Sequence, residues 1–142
     1  MSTSDSFAVR LRIALAKTGA VVELIEDGWV TVEGSPKPGR RIEVYVRDAS
    51  DFDVRFHVPE KQGSPFEQVI AGDPHEAEEV QSTVAQFVAD LVAERQILLM
   101  DPQLFRGGRR FLAASDVNDS TVRHASWVVS WRGTYDSDAP AA

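Results

Sequence analysis

Five polar side chains suited to acid–base chemistry lie on two neighbouring segments that alternate polar and apolar residues. They are Glu43 and Tyr45 in the first segment, and Asp53, Arg55 and His57 in the second. If both segments are β-strands, the five side chains project from one face of a sheet, because side chains alternate between the two faces. A histidine within reach of a carboxylate is a common arrangement for general acid–base catalysis.

An exposed sheet face with pairs of opposite charge is a simpler interpretation of these residues. A short loop at residues 48–50 pairs Glu43 with Arg55, Arg47 with Asp51, and Tyr45 with Asp53. A register shifted by two residues instead pairs Arg47 with Asp53 and Glu43 with His57. Such pairs each stabilise a sheet by roughly a few tenths of a kcal/mol. We therefore favour this interpretation over catalysis.

Other residue types also argue against an enzyme or a metalloprotein. The chain has no Cys, which excludes disulfides, thiolate nucleophiles and Cys-ligated zinc. Its three histidines, His57, His75 and His124, are 18 and 49 residues apart and form no paired-ligand motif. No glycine-rich phosphate loop is present. We expect no metal and no cofactor, and an enzyme based on His57 or His124 is only an alternative.

The charge of the chain is negative overall and segregated along the sequence. The net charge of −7 argues against nucleic-acid binding, which needs clustered Lys and Arg. Between Asp73 and Glu94 there are six acidic residues and no Lys or Arg, whereas Arg106 to Arg132 contains five Arg and two Asp. This segregation of charge predicts an acidic and a basic contact region for a partner, and an exposed Trp is predicted to contribute to the contact. The predicted binding residues are Trp29, Glu78, Glu79, Arg106, Arg109 and Arg110.

The periodicity of apolar residues predicts two α-helices. The first is capped by Ser4 or Ser6 and runs to about Thr18, before Gly19. The second begins at a capping box, Asp73-Pro74-His75-Glu76, and runs to about Arg95.

Alternating or continuous apolar segments predict six to seven β-strands. Asp27-Gly28 is a hairpin turn between the first two strands, Val21–Glu26 and Trp29–Glu33. Direct pairing across this turn puts Glu23 on the apolar face with Val21 and Ile25. Either Glu23 lies at a solvent-exposed edge of that face, or the register of the two strands differs. The remaining predicted strands are Ile42–Arg47, Phe52–Val58, Ile97–Met100 (or a last helical turn), Arg110–Ala114 and Val122–Arg132.

Residues Pro59–Gly72 are predicted to form a long connection, with Phe66, Val69 and Ile70 in a short helical turn. A connection of this length is often functional, so it is a candidate lid or binding loop.

These elements predict an α+β fold. We expect a mainly antiparallel sheet of about six to seven strands, one long helix packed on a face and an N-terminal helix. The chain, 1–142, is expected to form a single domain with a frayed tail from about residue 136. The order of elements is similar to that of secretion-chaperone-like and other small α+β folds, although no sequence motif carries the likeness. No apolar run approaches the roughly 20 residues of a membrane span, so no membrane partner and a cytoplasmic location are expected.

Three function classes fit this sequence. The favoured class is a non-catalytic protein-binding module, such as a chaperone, an immunity-type inhibitor or an adaptor, with another protein as partner. The second class is a small-ligand-binding protein with a pocket between sheet and helix under residues 59–72. The third is the small enzyme based on His57 or His124. A homodimer formed through an edge strand or the Trp29 face is compatible with all three.

Overall fold

The structure is a computed structural model that describes residues 2–26, 28–61, 63–100, 109–117, 125 and 127–138. The chain divides into two compact units, Met1–Ala89 and Asp90–Ala142. The expectation that residues 1–142 form a single domain stays a prediction.

The first unit contains a five-stranded antiparallel sheet and the N-terminal helix. Helix α1 is Thr3–Ala14, and its N-cap is Ser2, two residues before the predicted Ser4; Ser2 Oγ accepts a hydrogen bond from the Asp5 N–H. The strands lie side by side in chain order. They are β1 (Val21–Glu26), β2 (Trp29–Glu33), β3 (Arg41–Asp48), β4 (Asp51–His57) and β5 (Phe66–Ala71).

One face of this sheet, here called the inner face, carries the hydrophobic core. Its strands contribute fully buried side chains: Val30, Val32, Ile42, Val44, Phe52, Val54 and Phe56. Helix α1 adds Phe7 and Leu11, and its C-cap residue Leu15 is also buried. The ring centroids of Phe7 and Phe52 are 5.0 Å apart. The helix therefore covers the inner face, and the opposite side of the sheet is called the outer face.

The register of the first hairpin differs from the direct pairing predicted across Asp27-Gly28. A bulge at Ile25 places Leu24 opposite Val30 and Val22 opposite Val32. Because a one-residue shift turns every side chain to the other face, Val22 joins the inner face and Glu23 becomes exposed. Of the two explanations for Glu23, the different register is confirmed. Val21 and Ile25 are 52% and 59% exposed.

Much of the predicted long connection is a strand, so the predicted helical turn is wrong. Residues Phe66–Ala71 form β5, which pairs with β4 from Phe56 to Asp51. Phe66 is buried against the inner face, but the side chains of Glu67, Gln68 and Val69 are exposed. The sequence of β5 has only one buried aromatic residue, Phe66, and little alternation of apolar and polar residues after it. It therefore gives little indication of a strand.

The second helix is confirmed at its predicted start. A 3₁₀ turn at Pro74–Glu76 leads into α2 (Ala77–Val92), and the Asp73 N–H donates to Glu76 Oε1 at 3.1 Å. Val80, Val84 and Val88 are buried along one side of α2. None of the described helices is long and apolar enough to cross a membrane.

The second unit contains a four-stranded antiparallel sheet. Its strands are β6 (Gln96–Met100), β7 (Arg109–Ala113), β8 (Trp127–Val129) and β9 (Ser137–Asp138), in the order β7-β6-β8-β9. Ile97, Leu99, Ala125 and Val128 form its core cluster. The strand alternative for Ile97–Met100 is confirmed.

The predicted strand Val122–Arg132 ends earlier in the structure, at Val129. Its described strand residues are 127–129, and turns follow from Trp131 to Tyr135. Residues 122–124 and 126 lie outside the described residues. In the segment expected to fray from about 136, Ser137 and Asp138 pair with β8, and 139–142 lie outside the described residues.

The predicted α+β class, with antiparallel strands, an N-terminal helix and one long helix, is confirmed. The described residues contain nine strands in two sheets of five and four, rather than six to seven in one sheet. The additional strands are β5 and β9, which lie in segments interpreted from sequence as loop and tail.

Candidate functional site

The outer face of the five-stranded sheet brings the most polar and aromatic side chains together. Cross-strand pairing produces one row of Trp29, Tyr45, Asp53 and Val69, and a second row of Thr31, Glu43, Arg55 and Glu67. Arg41 and His57 form the start of a third row. The name outer-face cluster is used below for Trp29, Tyr45, Arg47, Asp53, Arg55 and Glu67.

Asp53 lies at the centre of the outer-face cluster and is fully buried. Its side chain is 0% exposed, although strand alternation places it on the polar face. Arg55 Nη2 and Arg47 Nη2 donate to Asp53 Oδ2 at 3.1 and 3.4 Å. Asp53 Oδ1 is buried and has no hydrogen-bond partner. The two arginines stabilise the ionised carboxylate through one of its two oxygens.

Two aromatic rings and the two arginines form the surface above Asp53. The rings of Trp29 and Tyr45 have centroids 4.7 Å apart and planes inclined by 34°. The Arg55 guanidinium carbon is 5.3 Å from the Trp29 ring centroid, and that of Arg47 is 5.7 Å from the Tyr45 centroid. These are cation–π distances, so each arginine joins an aromatic ring to the buried carboxylate.

His57 and Glu43 form the acid–base pair that the sequence suggested. His57 Nε2 is 2.7 Å from Glu43 Oε1, but the contact lacks hydrogen-bond alignment and Nε2 has no hydrogen-bond partner. Burial lowers the pKa of His57, Glu43 raises it in part, and the charges of Arg41 and Arg55 lower it further. The imidazole is therefore neutral at neutral pH.

Two clefts are formed by residues of the first unit in the part of the chain that the structure describes. One cleft of about 400 Å³ is lined by Ser2, Thr3, Ser4, Gly28 and residues 45–48. A second of about 250 Å³ is lined by residues 33–35 and 39–41. His57 lines neither of these two clefts, and its contact with Glu43 joins two strands of the outer face.

The first of the two predicted registers between β3 and β4 is confirmed for two of its pairs, because Glu43 lies opposite Arg55 and Tyr45 opposite Asp53. Arg47 does not pair with Asp51, because the register shifts there and Asp48 takes that position. The Arg47 side chain still reaches Asp51 at 3.5 Å. The two contacts of the alternative register also form, as diagonal contacts: Arg47 pairs with Asp53, and the neutral His57 lies beside Glu43.

The structure separates the predicted binding residues of the first unit. Trp29 belongs to the outer-face cluster. Glu78 and Glu79 are exposed on α2, and Glu78 Oε2 lies 2.5 Å from Arg10 Nη2 of α1, the helix that covers the inner face. An exposed pair of this kind contributes only about 0–1 kcal/mol to stability.

The predicted basic turn is described only in part. Arg106 lies outside the described residues, as does His124. Arg109 and Arg110 begin β7, and the Arg110 side chain is exposed.

Sequence reasoning missed two polar members of the outer face. Glu67 lies in the segment interpreted as a loop, and its Oε2 is 3.5 Å from Arg55 Nε. Thr31 lies between Glu23 and Glu43, and its hydroxyl is buried without a hydrogen-bond partner. The position of Thr31 on the polar side of β2 could have been found only with the correct hairpin register.

A group of potential metal ligands occurs at the start of α2. Ligand atoms of Asp73, His75 and Glu76 lie within 4.8 Å of one another. Asp73 and His75 are exposed, and the Asp73 N–H bonds to Glu76 as in a helix cap. Helix capping accounts for this arrangement without an ion.

Comparisons of the chain with protein-family models, curated proteins and solved structures give no match. Function is therefore inferred from the outer-face cluster itself. This cluster combines two aromatic rings, two arginines and a buried carboxylate that both arginines contact.

Proposed function

We propose that this protein is a non-catalytic protein-binding module of the chaperone, immunity or adaptor type, and that the outer-face cluster contacts its partner. Trp, Tyr and Arg are the residues enriched at energetic hot spots of protein interfaces. Here Trp29, Tyr45 and Arg55 are adjacent, and Trp29 is neither fully buried nor fully exposed. Rings already held by neighbours lose little conformational entropy when a partner binds.

The observation that carries this proposal is the location of unpartnered buried polar atoms. Within the described residues, three buried side-chain atoms have no hydrogen-bond partner: Thr31 Oγ1, Asp53 Oδ1 and His57 Nε2. All three side chains belong to the outer face. Each such atom costs about 1–3 kcal/mol, and native proteins retain few of them. Glu67 can supply a donor to Asp53 Oδ1, whereas Thr31 Oγ1 and His57 Nε2 have none. The concentration of these atoms on one face supports a surface that further groups complete when it binds.

The acidic surface of α2 is the competing location for a partner. Glu78 and Glu79 are exposed, so a partner bound there would be held mainly by screened charges. The arginines of the outer-face cluster are already paired with Asp51 and Asp53. A partner on the outer face is therefore held mainly by apolar and aromatic contact, with weaker salt dependence.

Affinity capture from a lysate of the source cells, at low and at high salt, tests this function. The bait is the full chain, as wild type, Trp29→Ala, or the control variant Glu79→Gln on α2. We expect one protein that is captured by wild type and Glu79→Gln at both salt concentrations, and lost with Trp29→Ala. Equal capture by Trp29→Ala would contradict the outer-face location. Capture that requires Glu79 and disappears at high salt would assign binding to α2 instead.

A further inference from the structure

The outer-face cluster contains two carboxyl groups, of Asp53 and Glu67, that both contact Arg55. Asp53 on β4 is fully buried, with two arginines on Oδ2 and no donor on Oδ1. Glu67 on β5 lies directly opposite Arg55 and therefore diagonal to Asp53. Its side chain is 48% exposed, at the edge of the cluster.

A hydrogen bond between these two carboxyl groups requires a proton. Ionised carboxylates are acceptors only, so a bonded pair must carry one proton between them. The side-chain hydrogen bond with Asp53 raises the pKa of Glu67, and its desolvation and the negative charge of Asp53 raise it further. Arg55 and Arg47 act in the opposite direction but do not cancel this effect.

The arginines decide which carboxyl group keeps the proton. Both donate to Asp53 Oδ2, which stabilises the negative charge on Asp53. Glu67 has only the Arg55 contact at 3.5 Å, and it can donate to the unpartnered Oδ1. The other titratable or charged groups facing the pair are Tyr45 and Glu43 on β3, and Asp51 and His57 on β4.

We propose that Asp53 and Glu67 share one proton, carried by Glu67, and that this proton controls the surface formed by Arg55 and Trp29. Arg55 contacts both carboxyl groups and lies over the Trp29 ring. When Glu67 ionises, Oδ1 loses its donor and Glu67 competes for the Arg55 guanidinium, which draws it away from Trp29. The control of binding rests on the proposed function, whereas the shared proton does not.

If the proton on Glu67 controls this surface, the affinity of the protein for its partner falls as the pH rises through the pKa of Glu67. One proton limits the change to about ten-fold per pH unit. The variant Glu67→Gln keeps a donor for Oδ1 without an ionisable group, so its affinity is independent of pH over this range. This measurement follows identification of the partner.

The shared proton is tested on the purified chain alone by carboxyl-carbon NMR titration. We expect Glu67 to titrate above the ordinary glutamate range, and to return to it in Asp53→Asn, whose amide can donate to an ionised Glu67. Glu33, at the exposed end of β2, is the internal control. An ordinary pKa for Glu67 in the wild type, or an unchanged raised pKa in Asp53→Asn, would overturn the proposal.

The coupling to the surface is tested in the same titration through the indole N–H signal of Trp29. This signal should shift with the pKa of Glu67 in the wild type and stay constant in Glu67→Gln, a readout that does not require Asp53→Asn to fold. If the Trp29 signal does not change when Glu67 ionises, the proposal that this proton controls the surface is wrong. Both results are independent of any partner, so they separate failure of this proposal from failure of the proposed function.

Discussion

Replacing Asp53 should destabilise the first unit more than its position on the polar side of a strand suggests. In Asp53→Asn the volume is kept, but Arg47 and Arg55 lose the negative charge that both of them contact. A hydrogen bond to a charged group contributes about 1.5–3 kcal/mol when buried. The side chains of Arg47 and Arg55 are 40% and 32% exposed, so solvent screening roughly halves the contribution of each hydrogen bond. Because two such hydrogen bonds are lost, we expect the free energy of unfolding to fall by about 1.5–3 kcal/mol in total.

Urea unfolding followed by circular dichroism and by Trp fluorescence measures this loss. Asp51→Asn is the matched control, because Asp51 also contacts Arg47, at 3.5 Å, but its side chain is 36% exposed. Its removal should cost less than about 0.5 kcal/mol. Equal losses for the two variants, or a loss below about 0.5 kcal/mol for Asp53→Asn, would refute the view that a buried carboxylate organises the outer face.

Two further predictions concern Glu94 and His57. Glu94 has a φ of 60°, and its carboxylate accepts hydrogen bonds from the N–H groups of Arg132 and Thr134 and from the Ser130 and Thr134 hydroxyls. Glu94→Ala should therefore lower the unfolding free energy of the second unit by about 2–4 kcal/mol, measured by urea unfolding; a loss no larger than that of Glu79→Ala would contradict this. The buried His57 has a lowered pKa, so the folded state favours the neutral imidazole. Its stabilising contribution is present above the ordinary histidine pKa and is lost as the pH falls through the folded value. The pH dependence of unfolding in that window should flatten in His57→Gln, and an unchanged slope would count against the assignment.

The strongest sequence patterns predicted the elements that carry the site. Ile42, Val44 and Val46 alternate with polar residues over a full strand, and so do Phe52, Val54 and Phe56, which placed β3 and β4 and their outer-face residues correctly. The capping box at Asp73 likewise located the start of the second helix. These features are local, because they depend on residues a few positions apart.

Features that depend on packing between strands could not be predicted from the sequence. The bulge at Ile25 moves Glu23 to the outer side, and either register was compatible with the Asp27-Gly28 turn. Strand β5 has exposed residues at three successive positions, 67–69, and is defined by its pairing with β4. The burial of Asp53 also escaped prediction, because it depends on side chains that pack around it in the folded sheet, among them Arg47 and Arg55.

The central claim is that the outer face contacts a partner protein, and site-specific photocrosslinking tests it most directly. Val69 is 47% exposed and lies in the same row as Asp53, whereas Ile13 is 74% exposed on α1. A photoreactive residue at either position leaves the core intact. In source-cell lysate, position 69 should crosslink one specific protein, and position 13 should not. The same product from position 13 alone, or no specific product from position 69, would contradict the claim.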